Sequence, residues 1–436
     1  MQFPTIKFTY KDRIIDLEQI LVFLIKPLFL LFIYFSVFGR NVLVGGLSGG
    51  LAGVLFGFAI FVLTAFHFLF FKTEKKVSPL FYLLILFFLL ISIQPFMAYF
   101  VFDERSTHIL RYSVEVGINF GLVFATYYLI RNRLITPKFF LYAFGLLGLI
   151  ITTQIAINLA DMTVVRRVTG LRGAINYTAN SLAICAAVWC MIIYSSYTIQ
   201  KESKFRLNRL FSVFCFIFVM FGILLTGSRS AMLAFLVGIV LLQLFGMKSK
   251  KFRRYSIVIM VLFGGLLGYI AINIDISLLL NRFTYEELSR MAWIRFDQYA
   301  RSVNDMTFPE FLFGRPDLYT FDDSTIEAGR TVNTHNVILS LIRYNGIFAA
   351  ITFLLILYVI YKNYFSLYKK NKTKPRLRIT ESSILVLLTM TIIYSMFSGG
   401  RSTRIFFLYI MIGYAVGYFE MVRTIKSEKE YEKLVL

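Results

Sequence analysis

The sequence predicts an all-α polytopic membrane protein: a helix bundle of about 12 transmembrane helices with one large extracytoplasmic loop that carries short helices. Three observations lead there. Hydrophobic residues make up 58% of the 436 and charged residues only 16%, and apolar runs of about 20 residues, the length that crosses a bilayer, recur from end to end. Basic residues gather in short clusters between those runs, as at Lys72 to Lys76 and Lys248 to Arg254. One long polar interval, Asp275 to His335, interrupts an otherwise hydrophobic chain. This composition excludes a soluble domain of this size. The net charge of +22, distributed as clusters between spans, reads as a topology signal with anionic membrane lipid as its neighbour, and no nucleic acid is expected as a partner.

Residues 1–18 mix charge and apolar character without a small-residue cleavage site, so they are expected to form a retained cytoplasmic segment. Transmembrane helices 1–9 are expected within 19–273, near Gln19–Phe38, Val42–Phe71, Pro79–Phe102, Ile109–Ile130, Phe139–Leu159, Ser181–Ile199, Leu210–Leu225, Ala231–Phe245 and Ser256–Ile272. The second run is too long for one perpendicular crossing, and Gly45-Gly46-Leu47-Ser48-Gly49-Gly50 in its first half predicts close helix contact or a bent start. The large loop occupies 274–334. Helices 10–12 follow within 335–421, near His335–Tyr361, Ser382–Phe397 and Ile405–Met421, and 422–436 form a cytoplasmic tail. Cys185, Cys190 and Cys215 lie inside hydrophobic runs, with neither a disulfide framework nor a metal-ligand spacing. No metal and no cofactor is expected.

With both termini in the cytoplasm, the loops that begin at Lys72, Arg131, Lys201, Met247 and Lys362 fall inside, and all are rich in Lys and Arg. Leaving aside Lys26 within the first span, every lysine then falls on the cytoplasmic side. The outer face carries its cations as arginine alone. A planar fork that stays charged is what bidentate phosphate recognition requires.

Four outer-face stretches carry the candidate chemistry. Arg166 to Tyr177, with Arg167, Gly170 and Gly173, fits a bent backbone at membrane depth better than a plain helix. Thr226-Gly227-Ser228-Arg229-Ser230 makes a tight helical hairpin with Arg229 at the interface, where a snorkelling arginine that marks a helix end is the plainer alternative. Ser398 to Arg404 is a weaker version of the same turn. In the loop, Arg282, Arg290, Arg295, Arg301, Arg315 and Arg330 recur, and the spacing of Met291, Ile294 and Tyr299 predicts a helix through Ser289-Arg290-Met291-Ala292-Trp293. Lying on the membrane, that helix would hold Arg290 near the headgroup plane. Phe308-Pro309 and Phe311 to Pro316 are expected to break it and begin an irregular segment. His335 closes the loop at the start of a helix, where an imidazole can exchange protons near neutral pH and the helix N-terminus is hospitable to anions.

Taken together, Thr226 to Ser230 before a hydrophobic run, then Ser289 to Trp293, then His335-Asn336 followed by Leu339, Leu341 and Gly346, resemble the bacterial O-antigen ligase and O-antigen polymerase superfamily. The likeness covers about the last two thirds of the chain. Arg167 through Tyr177 is similar to that family's segment of arginine, glycine and asparagine, with Ala174-Ile175-Asn176 in place of the more usual Asn-Pro-Asn, so the transfer to Arg167 is the least direct. The resemblance implies an integral-membrane glycosyltransferase at the outer face of the cell inner membrane. Its donor would be an undecaprenyl diphosphate-linked glycan and its acceptor a saccharide hydroxyl, on lipid A core for a ligase or on another lipid-linked glycan for a polymerase. Arg229 and Arg290 would clamp the diphosphate with Arg167 assisting, and His335 would take the acceptor's proton or orient the diphosphate. A polysaccharide flippase or secondary transporter is the rival from another class. Transporters gather charges near the midplane, whereas here they collect at one face apart from Lys26, Glu115 and Arg343.

Overall fold

The computed structural model describes residues 7–10, 13–35, 43–44, 47–71, 78–100, 107–160, 182–193, 206–226, 228–246, 284–304, 306–314, 336–371, 375–397 and 406–425. Those residues build a membrane helix bundle. Six of its helices are long and apolar enough to cross a bilayer, at Leu51–Phe70, Pro79–Met97, Tyr112–Arg131, Pro137–Ile157, Ile347–Lys370 and Arg378–Met396. Shorter apolar helices at Ile20–Ile33, Leu182–Ile193, Leu210–Thr226 and Ser230–Phe245 fall where further spans are expected. The expected span Ser256–Ile272 lies outside the described residues.

Strands β1 (Lys7–Tyr10) and β2 (Arg13–Asp16) pair antiparallel and lead into α1 (Leu17–Ile33). Strands β3 (Leu43–Val44) and β4 (Leu47–Ser48) pair around Gly45-Gly46 and give α2 (Gly49–Phe70) the bent start that its glycines predict. Helices α3 (Pro79–Phe100), α4 (Thr107–Arg131) and α5 (Pro137–Ala160) follow. Next come α6 (Leu182–Ile193), α7 (Arg206–Thr226) and α8 (Arg229–Leu241), the last extended by a π turn over Leu242–Gly246. The loop residues form α9 (Tyr285–Asn304) and α10 (Phe308–Phe313). Helices α11 (Val337–Asn345), α12 (Ile347–Lys370), α13 (Pro375–Phe397) and α14 (Phe406–Thr424) complete the bundle.

Small residues set the closest approaches. Gly413 and Gly417, one turn apart on α14, lie against α4 so tightly that a Cβ on either would stand 2.7 Å from the carbonyl oxygen of Val123 or Tyr127. This is the small-xxx-small contact by which membrane helices replace the missing hydrophobic drive with backbone proximity. Every residue from Leu182 to Ile193 is buried, as suits a helix that is apolar all round. Helix α8 runs antiparallel to α13, since Arg378 near the start of α13 donates its Nε to the Phe245 carbonyl at 2.7 Å while Gly238 faces Met390 further along. The π turn of α8 exposes that carbonyl, because a widened turn releases an acceptor from the regular ladder.

Two boundaries differ from expectation. The apolar run His335–Tyr361 reads as one span, but Gly346 at φ 83° breaks it into α11 and α12. Helix α12 is long enough to cross alone, at about 36 Å for its 24 residues, which leaves α11 as a separate nine-residue helix. The segment after Phe308-Pro309 is also helical. Pro309 stands in the first turn of α10, where its missing N–H costs nothing, and the Glu310 carboxylate accepts from the Thr307 backbone N–H at 2.6 Å.

Candidate functional site

The loop helices are fastened to the bundle at two points. At the first, Tyr299 of α9 donates its hydroxyl to the Met396 carbonyl in the last turn of α13, at 3.1 Å. The Arg295 guanidinium and the Asn336 side chain hydrogen-bond to the same phenol. Asn336 is also the N-cap of α11, its Oδ1 accepting from Ile338 N at 2.9 Å and Leu339 N at 3.2 Å, so its amide nitrogen is the atom left to serve Tyr299. Asparagine before the first helical residue satisfies two of the amides that every helix start leaves unpaired. Burial pushes the Tyr299 phenol above the ordinary tyrosine value, and the nearby Arg295 charge pulls it partly back.

At the second point, α10 ends in Gly314 at φ 86°, facing the break at Gly346. A Cβ on Gly314 would stand 2.5 Å from the Tyr344 carbonyl oxygen, and one on Gly346 would collide with the Leu312 carbonyl. Only glycine tolerates both the left-handed backbone and that approach. The reciprocal glycines therefore seat α10 on the α11–α12 corner. Behind the corner, Tyr112 of α4 donates to Asn345 Oδ1 at 3.0 Å, and Asn345 Nδ2 donates to the Ile91 carbonyl of α3 at 3.1 Å. Helix α11 is thus held from the membrane side and from the loop side.

These contacts gather the starts of α8 and α11, the end of α13 and the length of α9 at one end of the bundle. Arg229 is the first residue of α8. Because α8 and α13 are antiparallel, with Gly238 level with Met390, Arg229 stands level with the end of α13, where Tyr299 docks. Ser228 caps α8, accepting from Ala231 N at 3.4 Å. His335 lies outside the described residues but directly precedes Asn336, so the N-terminus of α11 fixes its place in the chain. Arg167, like Arg315 and Arg330, lies outside the described residues.

Arg290 is exposed on α9. It precedes Tyr299 by nine residues, about two and a half helical turns, and therefore occupies the side of α9 away from the docked face. Arg295 shares the docked face with Tyr299, one turn earlier. Arg295, Tyr299 and Asn336 are the residues that the sequence named without assigning a role. Their signal was present: an Arg and a Tyr at i and i+4 share a helix face, and Asn directly before a helical run is a cap.

Among the described residues, no three His, Cys, Asp or Glu side chains converge as a metal-ligand set. The three thiols are free and buried. Of the charges inside spans, Glu115 and Arg343 are buried, and Lys26 lies over the Phe139 ring at 5.8 Å. The fold defines a multi-pass helical membrane protein whose loop helices dock on one end of the bundle. No protein-family model matches the chain, nor does any curated protein.

Proposed function

We propose that this protein is a membrane glycosyltransferase of the O-antigen ligase type. It moves a glycan from undecaprenyl diphosphate to a saccharide hydroxyl at the outer face of the inner membrane, with twelve crossings and both termini cytoplasmic. What supports the reading is the Tyr299 junction, which ties the arginine-bearing α9 to Asn336, the residue after His335. The start of α8, with Arg229, belongs to the same end of the bundle.

In the reaction, the acceptor hydroxyl oxygen attacks the anomeric carbon and forms the new glycosidic bond. The bond from that carbon to the diphosphate oxygen breaks, and its electron pair leaves on undecaprenyl diphosphate. Arg229 and Arg290, with Arg167 assisting, meet the negative charge that develops there, and preorganised cations of this kind are worth several kcal/mol in a water-poor site. The hydroxyl proton passes to His335 and on to water. In its other role, His335 orients the diphosphate and the leaving group itself takes up the proton. We add Arg295 to the set, because it is the arginine that shares a face of α9 with the junction.

The test is incubation of the purified protein with undecaprenyl diphosphate glycan, with and without lipid A core. Glycan appearing on the core is the expected result. Chain growth without core would make the protein a polymerase of the same type. If the donor stays intact in both, the transferase reading is wrong.

A further inference from the structure

Helices α9 and α10 present a set of aromatic side chains that the bundle does not cover. Trp293 is 76% exposed, Phe296 68% and Phe308 73%, with Tyr285 and Phe313 also exposed. On α9, Tyr285, Trp293 and Phe296 fall on one arc, roughly a quarter turn round from the face that carries Arg295 and Tyr299. Glu286, Arg290 and Asp297 fill the next arc, further from the bundle. On α10 the division is the same: Phe311 and the preceding Met306 pack against the core, while Phe308 and Phe313 face outward.

Where the two helices are fastened says what covers these rings. Tyr299 is bonded to Met396, the last residue of the span Arg378–Met396. Gly314 and Leu312 abut the corner at Gly346, immediately before the span Ile347–Lys370 begins. Both fastenings are at span ends, where hydrocarbon gives way to headgroups. The exposed apolar surface is also continuous across the junction. The Phe313 ring meets that of Phe348 at 6.3 Å, and Phe348 begins the outward row Ile351, Leu355 and Tyr358 on α12, which in a membrane span faces lipid.

We propose that α9 and α10 are a lipid-seated pair, with Trp293, Phe296, Phe308 and Phe313 inserted at the boundary between headgroups and acyl chains and the charged arc of α9 turned to water. Tryptophan and its aromatic neighbours favour that boundary because one part of the ring is apolar and another hydrogen-bonds, and a helix with one apolar and one charged arc lies in its plane. The occupant of this surface is bilayer lipid. The seat holds whether or not the protein transfers glycans.

Trp293 makes the seat measurable, because the chain has two tryptophans and the other, Trp189, is buried and donates to the Gly145 carbonyl at 3.1 Å. Wild-type protein and Trp293→Phe are reconstituted in phosphatidylcholine nanodiscs with bromines placed shallow or deep along the acyl chains, and the Trp293 emission is taken as their difference. The expected result is roughly twofold stronger loss with shallow than with deep bromines, as for an indole about 5–10 Å into the boundary, with little loss to aqueous acrylamide. Loss to acrylamide with none to either lipid, or equal or stronger loss with deep bromines, overturns the proposal.

Discussion

Tyr299 is the residue through which the loop and the bundle meet, and its chemistry can be tested alone. Tyr299→Phe removes the donor to Met396 and the acceptor for Arg295 and Asn336, while keeping the ring. A hydrogen bond of this kind is worth about 1 kcal/mol net, so amide exchange across α9 is expected to quicken about fivefold, as read by hydrogen–deuterium exchange; unchanged exchange would show that the junction does not hold the helix. The pH dependence has a definite sign. A phenol whose pKa is raised on folding contributes stability that is complete below the unfolded value of about 10 and lost as pH rises through the raised folded value. Alkaline titration past that point is therefore expected to loosen α9 in the wild type and to leave Tyr299→Phe unaffected.

Arginine identity is a second test at this scale. If diphosphate is held by a planar fork, Arg290→Lys keeps the charge and loses the paired contact, so turnover should fall almost as far as in Arg290→Ala. Normal turnover in the lysine variant would remove bidentate binding from the account. Arg295→Lys is expected to lower turnover too, because Arg295 rather than Arg290 faces the junction.

At the scale of elements, the corner at Gly346 decides where α11 sits. Gly346→Ala must adopt a left-handed backbone and collide with the Leu312 carbonyl, at a cost of about 1–3 kcal/mol for the backbone alone. A lower thermal midpoint in detergent is expected, together with faster exchange in α10; an unchanged midpoint would mean that the corner is not under this constraint. The same corner shows where reading the sequence ran out. The run from Val337 to Tyr361 is apolar throughout, and nothing in its hydrophobicity distinguishes a glycine tolerated within a helix from one whose positive φ ends it. Pro309 misled in the other direction, because proline halts a helix from within but begins one from its first turn. Helix α9 was legible because its apolar residues repeat at helical spacing. The partners of Tyr299 were not, since a bond to a backbone carbonyl 97 residues away leaves no local trace.

For the whole molecule, hydrophobic run length was enough to predict a membrane helix bundle, because a bilayer admits few other ways to satisfy a backbone. The pairing of helices was hidden. Gly413 and Gly417 sit in a run that hydropathy reads as one more span, yet they seat α14 against α4 more closely than a larger residue allows. Gly417→Leu is expected to destabilise the bundle by about 1–3 kcal/mol, as overpacking does. Thermal unfolding in detergent measures this, and wild-type stability would show that the two helices part easily.

The central claim is that transfer takes place at the end of the bundle where α8, α9 and α11 converge. The most direct measurement is the initial rate of glycan transfer by purified wild-type protein beside Arg229→Ala, Arg290→Ala and His335→Ala, each first shown to keep the wild-type thermal midpoint. The account predicts that every one of the three loses about a hundredfold or more in rate, the scale on which removing a single charge-stabilising group acts. Wild-type rates in all three variants would contradict it.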